Sequence, residues 1–448
     1  MSLRAFIEQM GKENQISHVR DQVSTKFEIP YFMKAFDKDG PILLFENVKE
    51  HNSSVITNVC GTRQRICTAL GADQARLYSR LTEAWQSPRK PAVISDGACK
   101  ENHEKEVNLN TIPILMHFEG DAGPYVTSGI VHAKSSDGKI ENVSIHRLQV
   151  LDEKHLAIRL VPRHLFKLWN MAKETGKGLD VAISIGVHPA LLLAASSRVP
   201  FGVSEFDVAN VLLDNNLRLT ECENVDAYAP AEAELVLEGR ISAAKEVLEG
   251  PFVDITGTHD VQRKQPVVEI VHVTHRSDYV YEGLLPSGAE HKLLMGLPHE
   301  ALIWESVSKV VPKVHMVNLS IGGCGWLHAV VSIEKQVDGD GKNALLAAFA
   351  AHPSVKHVVV VDSDIDVFDA SDVEWALATR FQAGEDLIVL EGVRGSTLDS
   401  SANQETGLTS KMGIDATRPF TKPKGKFERA KIPVNKRVET MVRKLTNV

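Results

Sequence analysis

GKIENVSIHRLQVLDEKHLAIRL, residues 138–160, carries the reading of the fold. Apolar and polar residues alternate through NVSIHRLQV and again through HLAIRL, and Asp152-Glu153-Lys154 between them is turn-forming. The stretch predicts an antiparallel hairpin. The same signature recurs in YVTSGIVHAKS (125–135), LDVAISIGV (179–187), AELVLEGRIS (233–242) and KQPVVEIVHVTHRSDYVYEG (264–283). Strands that return on themselves across residues 109–297 predict a barrel or split barrel.

The flanks read differently. Residues 1–108 mix helix and strand signals and predict a small α/β lobe. SLRAFIEQMGK is a helix with Ser2 as N-cap, GPILLFENV and SSVITNVC are strands, and TRQRICTALG is a helix closed by Gly71. Residues 298–448 alternate helix and strand and predict a layered α/β domain. There HEALIWESVSKVVP, KNALLAAFAAH and SDVEWALATRF read as helices, the last capped by Ser371, and WLHAVVSIEKQ and VKHVVVVDSDID as strands. The basic tail KPKGKFERAKIPVNKRVETMVRKL reads as a docking or oligomerisation arm.

At 448 residues the chain holds two or three domains with large cores. Hydrophobic residues make up 43% and the net charge is −8, which argues against a dominant nucleic-acid surface. The five cysteines are scattered without a CxxC pair, so a reducing compartment, the cytoplasm, is expected. No apolar run is long enough to span a bilayer, and the charged N-terminus lacks a signal-peptide core.

Chemistry concentrates in four segments: ENVSIHRLQV (141–150), VPRHLFKLW (161–169), FGVSEFDVA (201–209) and LEGPFVDITG (248–257). Asn142, His164 and Glu205 offer an amide, an imidazole and a carboxylate, a mixed O/N set that suits Mn²⁺ or Mg²⁺ better than a closed zinc site. With one protein charge in the shell, an anionic ligand such as a phosphate completes it. His146 and His155 compete with His164 for the imidazole role, and local packing remains open for all of them. Glu249 and Asp254 flank a Gly250-Pro251 turn that keeps the segment out of a helix. Beside Arg147 they form a candidate acid–base relay, with an ordinary salt bridge as the alternative. GGCGWL (322–327) has no nucleotide-binding spacing, and Asp362, Asp364 and Asp366 read as a strand-end turn.

In family order, NVSIHRLQV, Arg163-His164, SEFDVAN, PAEAELVLEG, EGPFVDITG, VVVVDSDID, VEWALATR and SKMGIDAT resemble the UbiD family of decarboxylases across about residues 30 to 420. The resemblance implies a flavin-binding split barrel between α/β lobes and prenylated FMN as cofactor, with Mn²⁺ (or Mg²⁺) and K⁺. A flavin prenyltransferase of the UbiX type would supply the cofactor, and the chain would form a homodimer or homohexamer. It carries metal-ligand roles onto Asn142, His164 and Glu205. Cofactor contacts fall on Asn142, Ser144, Ile145, Arg147, His164 and Glu205, and the Glu–Arg–acid network on Glu249, Arg147 and Asp254. The implied reaction is reversible, non-oxidative decarboxylation of an α,β-unsaturated or aromatic acid, with the last acid protonating carbon. Asp254 is shorter than the Glu of other branches, and Val253 replaces the usual glycine, which puts the reach of Asp254 in question. The opening residues are similar to an archaeal-type subgroup, whose substrate is trans-anhydromevalonate 5-phosphate of an isoprenoid pathway. Lys411, His299 and Arg147 are then candidates for the substrate phosphate. Aromatic or heteroaromatic acids are the alternative substrates, and a non-catalytic flavin-binding subunit is the alternative of another class.

Overall fold

The sheet that organises the chain starts and ends at the same place. In the computed structural model, which describes residues 1–446, its strands lie in the hydrogen-bonding order Tyr125–Val126, Leu148–Val150, His155–Ile158, Arg263–His275, Leu235–Glu249, Leu179–Ile185, Ile130–Lys134 and Glu141–Ile145. The last strand of this path and the second are joined in sequence by His146-Arg147 alone. The sheet therefore curls until its two ends meet, and no ladder joins Glu141–Ile145 to Leu148–Val150. This is the expected split barrel, with its seam at Arg147. The continuous strand expected through 142–150 is two strands, because the chain leaves one end of the sheet to join the other. The hairpin is as expected: Leu156 faces Val150 and Ile158 faces Leu148. Asp152 Oδ1 accepts the N–H groups of Lys154 and His155, both at 2.9 Å, which fixes the turn.

Period-two alternation explains why both faces are covered. Val181, Ile183 and Ile185 point into one core with Leu148, Ile158, Leu237 and Val268, while Ala182 points into another with Val143 and Val236. The helix His164–Glu174 lays Leu165, Leu168, Trp169 and Ala172, spaced as one helical stripe, against the first core. The helices Pro189–Ala195 and Glu205–Leu212 pack against the second.

The amino-terminal lobe is a sheet ordered Ile16–Val19, Ile42–Phe45, Ser54–Thr57 and Val280–Gly283, so its fourth strand arrives after the barrel. Ser2 caps the first helix by accepting from Ala5 N. The carboxy-terminal sheet runs Lys313–Leu319, His328–Glu334, His357–Asp362, Leu408–Ala416 and Leu387–Arg394, with the helix Asp340–Ala351 crossing between two parallel strands. The helix Ala370–Arg380 is capped by Asp369, not Ser371: Asp369 accepts from Ser371 N, which already lies inside the helix.

The helix Ala289–Val307 runs through the expected boundary at 297/298 and contains Pro298. Proline forfeits a helical hydrogen bond, and tertiary contacts hold the helix on both sides of it. Glu290 accepts the N–H groups of Asn58 and Cys60. Buried Glu300 accepts both Arg63 NH2 contacts at 2.9 and 2.7 Å, Tyr78 OH at 2.9 Å and Leu319 N at 2.8 Å. This one carboxylate ties the amino-terminal lobe, the helix and the carboxy-terminal sheet together. Among the described residues, no helix is long and apolar enough to cross a membrane.

Arg63→Met leaves Glu300 buried without its cation, and a loss of about 3–5 kcal/mol is expected. Denaturant titration of Arg63→Met and of Arg63→Met/Glu300→Leu checks it. The double variant recovers most of the loss if the unpaired charge is the cause, and recovers none if lost packing is.

Candidate active site

Arg147 stands in the barrel seam with four of its guanidinium contacts made by acids. Nε and NH2 reach the two oxygens of Glu249, both at 2.9 Å, NH1 reaches Asp254 Oδ2 at 2.9 Å, and NH2 reaches Asp260 Oδ2 at 3.2 Å. The bidentate pairing to Glu249 fixes the guanidinium plane, and the ring of Phe252 lies 4.8 Å beneath it. Glu249 is fully buried at the end of the strand Leu235–Glu249, where Tyr125 OH lies 3.2 Å from its Oε1. Burial alone would lower the Arg147 pKa. The hydrogen bonds and charges of Glu249, Asp254 and Asp260 outweigh it and raise the pKa, so the group stays charged.

Asp254 follows the two-residue strand Phe252–Val253, which pairs with His259–Asp260. This small hairpin delivers two acids to Arg147. Val253 is buried, and its N–H donates to Asp121 Oδ1 at 3.2 Å. The β-branched residue in the place of glycine therefore does not keep Asp254 from Arg147. The side chain of Asp254 is 21% exposed, against 0% for Glu249, so it is the acid of the pair that a ligand can meet.

The second residue set lies on the other side of the seam. Glu205 Oε1 accepts from Asn142 Nδ2 at 2.9 Å, and Oε2 accepts from Val143 N at 2.6 Å. His164 Nδ1 lies 3.9 Å from Glu205 Oε1. Burial pushes the Glu205 pKa up to about 8 against the pull of the Val143 N–H and the Asn142 amide. Burial and the charges of Lys167, Arg163 and Arg198 lower the pKa of His164, which favours a neutral, ligand-competent imidazole. Asn142 Oδ1 accepts from Ser144 Oγ at 2.9 Å, which uses one of its two lone pairs and leaves the other for a cation. The competing histidines are engaged elsewhere. His146 contacts Ser144 Oγ and Arg159 O, both at 2.9 Å, and burial lowers its pKa to about 4. His155 pairs with Asp152 in the hairpin turn. Ile145 ends its strand opposite Ile130 and packs against the second core.

His164 and Glu205 each begin a helix, His164–Glu174 and Glu205–Leu212. Two positive helix ends thus converge on one point. Arg163 occupies the N-cap position of the first helix without a side-chain capping bond, and burial together with the charges of Arg198 and Arg394 lowers its pKa. Among the described residues no ion pair is found for these three arginines. A cation beside the carboxylate and a phosphate beside the arginines match this donor set.

The residues expected at a substrate phosphate are otherwise committed. Burial lowers the His299 pKa to about 3, and its Nδ1 is 3.0 Å from Met295 O. Lys411 is buried, donates to Pro353 O at 2.6 Å, and has its pKa lowered to about 8 by burial. Arg147 is held by three acids. Asp362 and Asp364 pair with Arg380, so the acidic run is a structural turn. Sequence reasoning missed Asp260, Tyr125, Gln149 and His291. Gln149 Oε1 accepts from Gly250 N at 3.1 Å and holds the turn after Glu249. His291 Nδ1 accepts from Ser287 N at 3.1 Å, and burial lowers its pKa against the charge of Asp254. Gln149 lies in NVSIHRLQV but reads there as an ordinary strand residue, and the other three stand in no motif; strand register and the helix Ala289–Val307 bring them to the site.

Comparison with known proteins agrees with this geometry. Residues 7–85, 92–289 and 292–416 match the amino-terminal, Rift-related and carboxy-terminal domains of 3-octaprenyl-4-hydroxybenzoate carboxy-lyase, the UbiD family. The chain is 42% identical over 427 residues to an anhydromevalonate phosphate decarboxylase of Methanothermobacter thermautotrophicus, covering 95% of this chain and 99% of that one. Its fold matches the UbiD-class enzyme HmfF from Pelotomaculum thermopropionicum, solved in complex with FMN, with a TM-score of 0.93, 40% identity, and 97% and 98% of the two chains covered. An evolved dimeric form of HmfF, solved with prenylated FMN, matches with a TM-score of 0.90 and 39% identity over 96% and 97% of the chains. With its split barrel, its three matched domains and its acid–arginine seam, this chain belongs to the UbiD family and is a carboxy-lyase.

Proposed function

We propose that the chain is a prenylated-FMN-dependent decarboxylase of an α,β-unsaturated acid, with trans-anhydromevalonate 5-phosphate as substrate. The observation that carries the reaction is the Arg147 cluster, in which one guanidinium holds a buried acid and a ligand-accessible acid at 2.9 Å each. The substrate is carried over from the full-length archaeal relative. We further propose that Asn142, His164 and Glu205 hold Mn²⁺ or Mg²⁺, with K⁺ nearby. Arg163, Arg198 and Arg394, with the two helix N-termini, would hold the flavin phosphate. A cation removes the cost of ionising buried Glu205, and the arginines neutralise the phosphate. Ser144 and Ile145 would line the cofactor on the strand beside Asn142.

When bound, the modified flavin supplies the electron sink that decarboxylation requires. The residues of the chain do the rest. Glu249 fixes Arg147 in the seam, and Arg147 orients the substrate carboxylate. An incoming carboxylate competes with Asp254 for NH1, and Asp254, released from its ion pair, carries a proton to the carbon that has lost CO₂. Phe252 beneath the guanidinium and the buried barrel wall exclude water from the pair. The reverse, carboxylating direction uses the same residues with Asp254 as base. We also propose that the chain assembles as a homodimer or homohexamer in the cytoplasm. The exposed apolar residues Ile432, Val434, Val438, Met441 and Leu445 of the tail would form an arm. The domains are taken as 1–108, 109–297 and 298–448, the last sharing the helix Ala289–Val307 with the barrel.

Protein made with a flavin prenyltransferase is expected to release CO₂ from trans-anhydromevalonate 5-phosphate faster than from furan, pyrrole or cinnamic acids, and protein carrying plain FMN is expected to be inactive. A CO₂-release assay over that panel checks both. Faster turnover of the aromatic acids overturns the substrate, and full activity with FMN overturns the cofactor. Asp254→Asn is expected to lower turnover by at least about 100-fold with flavin still bound, because an amide cannot deliver the proton. Glu249→Gln is expected to lower turnover comparably and also to alter the flavin absorbance, because Arg147 loses its bidentate partner. Near-native turnover of Asp254→Asn shows that another group is the donor.

A further inference from the structure

On the outer surface of the barrel, two histidines and a glutamate from three separate segments converge with their ligand atoms nearly equidistant. His103 Nδ1 lies 3.2 Å from His272 Nε2 and 3.4 Å from Glu223 Oε2, and His272 Nε2 lies 3.6 Å from Glu223 Oε2. Zinc bound tetrahedrally with ligands at 2.0–2.1 Å sets its donor atoms about 3.3–3.4 Å apart. The triangle observed has that size, with His103 and His272 in hydrogen-bond contact before any ion binds.

Backbone register builds this triangle. His103 sits in the two-residue strand Asn102–His103 and faces Thr274 of the strand Arg263–His275. His272 is two residues from Thr274 on the same face, so the two imidazoles are diagonal neighbours, within reach across a sheet. Glu223 comes from the loop between the strands Arg218–Glu221 and Tyr228–Pro230, and that loop is fixed by Glu238. The buried Glu238 carboxylate accepts Glu223 N at 3.0 Å and Asn224 N at 2.6 Å. Glu238 is itself the cross-strand partner of His272. One buried acid thus sets the loop directly over the histidine it faces. The other oxygen of Glu223, Oε1, meets Lys100 Nζ at 3.9 Å, which leaves Oε2 to the imidazoles. Among the described residues, this is the one set of three His, Cys, Asp or Glu side chains whose ligand atoms cluster closely enough to hold a metal ion.

We propose that His103, His272 and Glu223 form a second cation site, separate from Asn142, His164 and Glu205, that takes a Zn²⁺-class divalent ion. Two imidazoles and one carboxylate select a borderline metal over Mg²⁺ or Ca²⁺, and water fills the open position on the solvent side. The bound ion staples the edge strand Asn102–His103 and the loop at Glu223 to the barrel. It acts on stability, because none of its ligands touches the Arg147 seam.

Co²⁺ titration of the flavin-loaded protein, with Mn²⁺ already present, reads the site directly. One equivalent is expected to give the intense visible bands of a four-coordinate ion, and Zn²⁺ is expected to displace them and raise the thermal midpoint. His103→Gln and His272→Gln, one at an exposed and one at a half-buried position outside the Arg147 seam, are each expected to weaken binding at least ten-fold with decarboxylation retained. Glu205→Gln is expected to leave the bands in place, since the two sites share no ligand. Absence of four-coordinate bands in the wild type overturns the proposal, as does their persistence in His103→Gln/His272→Gln or their loss in Glu205→Gln with both histidines intact.

Discussion

One guanidinium gathers the charges at the seam of this barrel. The ends of the curled sheet meet without a hydrogen-bonded ladder, and from the two-residue link between them Arg147 reaches Glu249, at the end of a long strand in the middle of the sheet order. An arginine in that position needs compensating charge, because desolvating it is costly. Glu249, Asp254 and Asp260 provide it, and in doing so they place acids at the mouth of the barrel. Structure and chemistry are therefore one requirement here: the ion cluster at the seam is the one to which the proposed function assigns a carboxylate and a proton.

The other side of the seam obeys the same logic with the signs reversed. Glu205 is buried at the junction of two helix N-termini, and His164 beside it feels the charges of Arg163 and Arg198, for which no acid partner is found among the described residues. A buried carboxylate calls for a cation, and converging helix ends with Arg163, Arg198 and Arg394 call for an anion. Asn142 and Arg147 are five residues apart on either side of the chain crossing, so one short segment links a charge-poor acid site to a charge-rich relay. In the proposed function, a ligand that spans both would meet its phosphate site at one end and its acid–base site at the other.

Much of this was legible in the sequence, for physical reasons that can be named. Period-two alternation with a short polar turn marks the hairpin at 148–158, and the residue types of Asn142, Arg147, His164, Glu205, Glu249 and Asp254 mark the two clusters. What escaped were contacts set by register. Asp260 reaches Arg147 only because Phe252–Val253 folds back on His259–Asp260. The break at His146-Arg147 is invisible to alternation, which runs on undisturbed while the chain changes edges. The change of pattern near residue 298 placed a boundary there, and the contacts of Glu290 and Glu300 hold one helix across it. Asp369 and Ser371 are both good caps by composition, and only the backbone chooses between them.

The geometry of Arg147, and not its charge alone, holds the two acids in place. Arg147→Lys keeps the positive charge but removes the planar fork that engages Glu249 through two parallel bonds. Single-turnover CO₂ release by the flavin-loaded Arg147→Lys protein tests this most directly. A rate at least about 100-fold below the wild type is expected, the scale of a lost acid–base arrangement, with protein and flavin still bound together. A rate within a few-fold of the wild type would show that a point charge suffices and that the bidentate clamp is not required.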